Sequence, residues 1–397
     1  MNSSLRAVQS YVVSSILVFA CLPLAAQSAS TEPYAVPTFH CVGLYWNAPD
    51  GAPDNECRVR FRADGDAEWR EGLPLWFDAR TVEGEGMDSH SETVNAESRR
   101  GDEPQPMPEY ARQYRGSIVD LTPGTKYEVE LSLASGAKST LRCATWSETP
   151  PIAKTITLPA FSDTTLEITE SGTRDGYVLY APAEGKSTTI DVKNQHELCV
   201  AIRASHVILR GVTLKDAAKH GIQIFERSRD IIIEECDISG WGGPDALEGE
   251  KWGENTHSAI YAKDDDYRNP TIAQVVVQRT RMHHPRYDTN SWSEFRKKVD
   301  GRDADRWHPN GPQCISFFNT AGNHVFRYNM AFSDADLYYN DIFGAGSNFS
   351  AVGFPNRDSD IYGNWLANCW DDAIESEGAN CNVRIWGNFT THHLVSI

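Results

Sequence analysis

The chain has 397 residues, 40% hydrophobic and 23% charged, with a formal net charge of −18. That length suffices for two or three domains whose cores fold without a metal. An acidic balance without a basic stripe excludes nucleic-acid binding through counterion release, but not an anionic polysaccharide, because a local basic cleft can exist on an acidic protein.

Residues 1–30 read as a signal peptide. Arg6 precedes an apolar run at 11–26, and Gln27-Ser28-Ala29-Ser30 offers small residues for cleavage. The run is shorter than the ~20 residues of a membrane span, so the expectation is an exported protein, secreted or periplasmic, with no membrane span. Eight cysteines follow, at 41, 57, 143, 199, 236, 314, 369 and 381. Their spacing fits no zinc pattern, and Cys41/Cys57 and Cys369/Cys381 are the pairs closest in sequence.

From 31 to 150 the pattern is short strands between turns, expected at 42–46, 57–62, 116–120, 126–133 and 139–145. In Leu121-Thr122-Pro123-Gly124-Thr125-Lys126-Tyr127-Glu128-Val129, Pro-Gly sets a turn and Tyr127 opens an alternating strand. This resembles the corner of fibronectin type III domains, where a buried tyrosine hydroxyl bonds back across the bend. The resemblance implies a β-sandwich acting as a spacer or docking module, with a polar, mobile insertion at 81–108.

From 151 to 397 another rhythm takes over. Apolar strands such as Val207-Ile208-Leu209, Ile231-Ile232-Ile233 and Val275-Val276-Val277 each run into a bend, and later bends carry Asn329, Asn364 and Asn388. Several intervals match one coil of a β-solenoid. Asn at such a bend tolerates a left-handed backbone and can bond to the Asn stacked above it. The chain is therefore expected to be all-β: an N-terminal β-sandwich followed by a right-handed parallel β-helix, similar to the pectin-lyase-like superfamily. The last residues, His393-Leu394-Val395-Ser396-Ile397, read as the opening strand of a further coil, which predicts a truncated C-terminus.

Aligned on the strand that opens each coil, His220, His257, Gln313, Asn340-Asp341, Asp371-Asp372 and His392-His393 form one polar column, because stacked strands lie ~4.8 Å apart. Two insertions, 240–256 and 284–311, should overhang it. They carry Trp241, Trp252, Trp292 and Trp307 beside Arg296, Lys297, Lys298, Arg302 and Arg306. Exposed tryptophans next to carboxylates and histidines suit a saccharide cleft, so these four tryptophans and His257 are candidate substrate-binding residues. Asp341 and Asp372, on adjacent coils, should repel and split their pKa values, as an acid/base pair requires.

Asp371-Asp372-Ala373-Ile374 followed by His393 is similar to the paired-aspartate and histidine coils of polygalacturonase-type glycoside hydrolases, with Asn340-Asp341 in the place of that family's Asn-x-Asp. The resemblance implies an inverting hydrolase in which Asp341, Asp371 and Asp372 act on the substrate and water, His393 supports them, and no cofactor is needed. The glycines that flank the family's histidine are here His392 and Leu394.

Two alternatives stand beside a polysaccharide hydrolase. In a polysaccharide lyase, Asp371, Asp372, Glu375 and Glu377 would bind Ca²⁺ through oxygen, and Arg327 or a loop cation would abstract the proton. In a non-catalytic glycan-binding protein the same surface would hold a sugar chain without cutting it. Asp264-Asp265-Asp266 reads as a solvated turn.

Overall fold

The computed structural model describes residues 31–79, 112–246, 249, 251–294, 308–345 and 352–397. The expected signal peptide, the 81–108 insertion, Trp307 and the basic residues at 296–306 lie outside them. Among the described residues, no helix is long and apolar enough to cross a membrane, and every cysteine is a free thiol.

The described residues between Tyr34 and Ala144 form two antiparallel four-stranded sheets. Strand Lys126–Leu133 alternates exposed and buried positions, so Tyr127, Val129, Leu131 and Leu133 face Val42, Leu44, Val59 and Phe61 in one apolar core. The Tyr127 hydroxyl accepts the Thr122 N–H at 2.9 Å, closing the bend that Pro123-Gly124 begins.

Beyond Ile152 the chain winds into a right-handed parallel β-helix with three sheets. One turn visits Val207–Arg210, Val212–Lys215 and His220–Ile224 in order, then returns to Arg229–Glu234 beside the first. Among the described residues, the first sheet has eight strands from Ile152–Leu158 to Arg384–Trp386, and the second has eight from Phe161–Ser162 to Phe389–Thr391. The third has six, from Leu166–Ile168 to Phe343–Gly344, extended by the Phe343–Ile374 and Asp372–Val395 bridges. Inward side chains such as Ile222, Ile260, Ile315 and Phe343 fill the bore and are fully buried.

The bend from first to second sheet carries an asparagine ladder. Asn364 Oδ1 accepts the Asn329 N–H at 3.0 Å, while Asn364 Nδ2 donates to the Phe326 carbonyl at 3.0 Å and to Asn388 Oδ1 at 2.8 Å. Asn388 donates in turn to the Ile361 carbonyl. The left-handed residue is not the asparagine, as expected from sequence, but the one before it: Tyr328, Gly363 and Gly387 have φ of 58°, 65° and 64°. Asparagine is there for its amide rather than its backbone tolerance. Asn364→Ala is expected to cost about 2–3 kcal/mol, because buried backbone groups lose their partners; urea denaturation measures it, and a loss under 0.5 kcal/mol would mean the ladder is dispensable.

The sandwich is no loose spacer. It lies on the outer face of the first sheet, where Phe39 packs against Leu179, Ile208, Val276, Val325 and Tyr362. Tyr45 donates to Asp358 at 2.8 Å, Thr38 to Asp360 at 2.5 Å and Asn382 to the Gly116 carbonyl at 3.0 Å. A Cβ on Gly43 would fall 2.0 Å from Asp358 Oδ1, so this approach requires glycine.

Candidate active site

Both insertions leave the second sheet and return to the third: 240–257 joins Asp237–Ser239 to Ser258–Lys263, and 284–312 joins Arg281–His283 to Gln313–Phe318. Two shorter crossings at the same corner, 333–342 and 368–373, carry the aspartates. They stack in parallel: Trp370 N–H donates to Tyr339 O, Asp371 N–H to Asn340 O and Ile342 N–H to Asp372 O, at 2.9–3.1 Å. That register brings Asp341 against Asp371 and Asp372, and one oxygen of each carboxyl lies within 4.8 Å of the others.

The three carboxyls differ in surroundings. Asp341 is 3% exposed. One of its oxygens, Oδ2, lies 2.8 Å from the Gln313 amide; the other, Oδ1, accepts the Asp372 N–H at 3.2 Å. Burial, then repulsion from Glu375 and Asp371, pushes its pKa well above the carboxylate range. Asp371 is raised to about 6 by burial, partly offset by His308. Asp372, half-buried, is raised by burial and held back by His308 and His393. Its Oδ1 is a buried atom without a hydrogen-bond partner among the described residues.

His308 was not singled out in the sequence, because nothing in a long insertion says where its end returns. Its Nδ1 sits 2.7 Å from the Pro309 carbonyl and so carries a hydrogen; its Nε2 faces Asp371 Oδ2 at 3.3 Å. Trp292, 39% exposed, packs on the His308 ring at 4.9 Å. Trp370, next to Asp371, stacks on Tyr338 at 4.5 Å.

Other expected residues take different roles. Trp241 is fully buried, parallel to Tyr339, and its Nε1–H points at the His257 and Gln313 carbonyls; it anchors the first insertion and cannot face a sugar. His257 accepts the Gly243 N–H on Nδ1 at 3.0 Å, and burial lowers its pKa to about 4, so it is a neutral brace. Trp252 is half-buried under the Lys251 ammonium. His393 is half-buried near Asp372, with a partnerless Nδ1.

A calcium shell of Asp371, Asp372, Glu375 and Glu377 does not fit. The convergent oxygens belong to Asp341, Asp371 and Asp372 instead, and Glu375 Oε2 already accepts the Ala345 N–H. Arg327 is not a base here either. It is fully buried on the first sheet, bonded to Glu148, Gln278 and Tyr362.

A stability prediction follows from Asp371. Its raised pKa means that folding favours the protonated form, so its contribution is intact below about pH 4 and lost as pH rises through about 6. Asp371→Asn should therefore leave stability unchanged at pH 4 and raise it by on the order of 2 kcal/mol at pH 7.5, read from denaturation at both pH values. The whole-protein curve is a poorer readout. Burial lowers His324 to about 3 and His257 to about 4, and these neutral rings lose stability as pH falls, opposing the aspartates.

No family model matches the chain, and no curated protein matches it in sequence. Among solved structures it is similar to the pectate lyase Pel9A, with 14% identity and a TM-score of 0.32 over 63% of this chain and 65% of that one. The match thus spans slightly less than two thirds of the pectate lyase. An alginate lyase from Paenibacillus sp. str. FPU-7 gives 10% identity and a TM-score of 0.27, over 59% of this chain and 85% of that one. A family 28 exopolygalacturonase from Yersinia enterocolitica gives 11% and 0.18, over 91% and 99%.

Proposed function

We propose that the chain is an exported glycoside hydrolase acting on a polysaccharide, with Asp371 as general acid and Asp372 as its partner carboxylate. The observation that carries this reading is the convergence of two carboxyls in unlike surroundings. Burial raises Asp371 to about 6 although His308 opposes it, so a usable fraction carries a proton in mildly acidic to near-neutral solution. Asp372 keeps a buried oxygen with no partner among the described residues. In the reaction, Asp371 gives its proton to the glycosidic oxygen as the bond to the anomeric carbon breaks. Asp372 either attacks that carbon, to be displaced by water, or takes a proton from the attacking water. One oxygen of each carboxyl lies within 4.8 Å of the other, so both can reach a single glycosidic bond. Trp292 and Trp370 flank the aspartates as sugar-contacting aromatics.

The test is incubation of the full chain with pectic, alginate, glycosaminoglycan and neutral glycan panels. New reducing ends without ultraviolet-absorbing unsaturated products, insensitive to chelator, support the hydrolase. Unsaturated products lost on chelation would replace it with the lyase. Retention on a glycan without cleavage would replace it with a binding protein, and neither cleavage nor retention would end the saccharide reading.

A further inference from the structure

We propose that Asp341 is a protonated carboxylic acid in the resting protein, a positioning residue that holds the Asp371-Asp372 turn rather than a reacting or metal-binding carboxylate. The argument is a count of hydrogens. A chain of close contacts runs from Asp341 Oδ2 to the Gln313 amide at 2.8 Å and from that amide to Ser316 Oγ. It continues from Ser316 Oγ to Ser258 Oγ at 2.7 Å and from Ser258 Oγ to the Thr256 carbonyl at 2.6 Å. Gln313, Ser316 and Ser258 are completely buried.

Four contacts need four hydrogens. Ser258 and Ser316 supply one each. The amide donates only through its nitrogen end, so it serves one of its two contacts and accepts at the other. With Asp341 ionised, three hydrogens serve four contacts. If the amide nitrogen faces Asp341, two hydroxyl hydrogens must serve three oxygen–oxygen contacts. Rotating the amide by half a turn, which its two similar ends allow, sends its N–H to Ser316, whose O–H goes to Ser258, whose O–H goes to Thr256. Every contact is then filled provided Asp341 Oδ2–H donates to the Gln313 carbonyl oxygen. Asp341 Oδ1 still accepts the Asp372 N–H.

The charges around Asp341 agree. The titratable groups that face it are Glu375, Asp371, Asp372 and the Cys369 thiol, none of them a cation, and the three carboxyls oppose its ionisation. Kept neutral, Asp341 spares the cluster a third negative charge and pins the Asp372 backbone beside its reactive carboxyl.

Asparagine can reproduce this pattern, donating through Nδ2 to Gln313 and accepting the Asp372 N–H on Oδ1. Asp341→Asn is therefore expected to keep the thermal midpoint and to keep kcat and its pH profile within about threefold, whereas an ionised catalytic carboxylate would lose ~10²-fold or more. At pH 7, infrared difference spectra of the wild type against Asp341→Asn should show one protonated-carboxyl C=O band. Loss of kcat with the fold retained, or absence of that band, would overturn the proposal. Gln313→Leu gives a second reading should Asp341→Asn fail to fold: the band should persist and shift as its acceptor disappears, and a pure carboxylate spectrum would again overturn the inference. The activity arm rests on the hydrolase reading. The infrared arm does not, so a chain that cleaves no glycan still tests the proton on Asp341.

Discussion

Asp371→Asn should lower kcat on the cleaved glycan by about 10³-fold, within the usual share of a general acid, while KM changes little and the fold is retained. The carboxyl has what an acid needs: it is 8% exposed, raised to about 6, and faces the His308 ring. His308 is itself part of the argument. Its Nδ1 donates to the Pro309 carbonyl at 2.7 Å, which fixes the ring with Nε2 toward Asp371 Oδ2 at 3.3 Å. Substrates with an activated leaving group need little protonation and should lose much less than ~10³-fold. Steady-state kinetics on both substrate types separates these effects. Equal losses on the two would remove Asp371 from the acid role.

Arg327→Ala should destabilise the whole protein by about 3 kcal/mol, as expected when a buried ion pair and its hydrogen bonds lose one partner. The guanidinium is fully buried. It donates to both oxygens of Glu148 at 2.8 and 2.6 Å, to Gln278 at 2.7 Å and to Tyr362 at 3.0 Å. It also lies 3.7 Å over the Phe39 ring, so it joins the sandwich, the linker and three successive coils. Arg327→Met keeps the bulk and should cost less, since apolar replacement of a buried ion pair is often tolerated. Chemical denaturation monitored by tryptophan fluorescence gives both numbers. A change below 1 kcal/mol for the alanine variant would mean that the Arg327 junction contributes little to stability.

The solenoid was legible because several first-sheet strands hold an apolar triplet, as in Val207–Arg210 and Ala273–Gln278. The carboxylate register was legible too, since parallel stacking puts residues one coil apart side by side. Orientation was less so. Trp241 and Trp292 look alike in sequence, yet one is a core anchor and the other 39% exposed, because a loop's path is set by contacts such as the Trp252–Asp288 bridge that no local pattern encodes. Asp264 misled in the same way. Its carboxylate accepts the Thr271 and Ile272 N–H groups and is 2% exposed, although it begins an acidic run that reads as a solvated turn. The docking of the sandwich was invisible, as Thr38 and Asp360 are 322 residues apart.

That docking has a consequence for how the chain assembles. A stack of coils is ordinarily one-dimensional, each turn supported only by its neighbours, so its last turns are free to fray. Here Asp358, Asp360, Asn382 and Arg384, on the last coils described, are held by Thr38, Tyr45, Gly116 and Ser117, from a unit that emerges first during synthesis. Its grip falls at Asp360–Tyr362 and Arg384–Trp386, the next first-sheet strands after Asp341 and Asp372. Loosening of these coils would therefore have to break contacts with the sandwich, which couples the candidate catalytic turns to it.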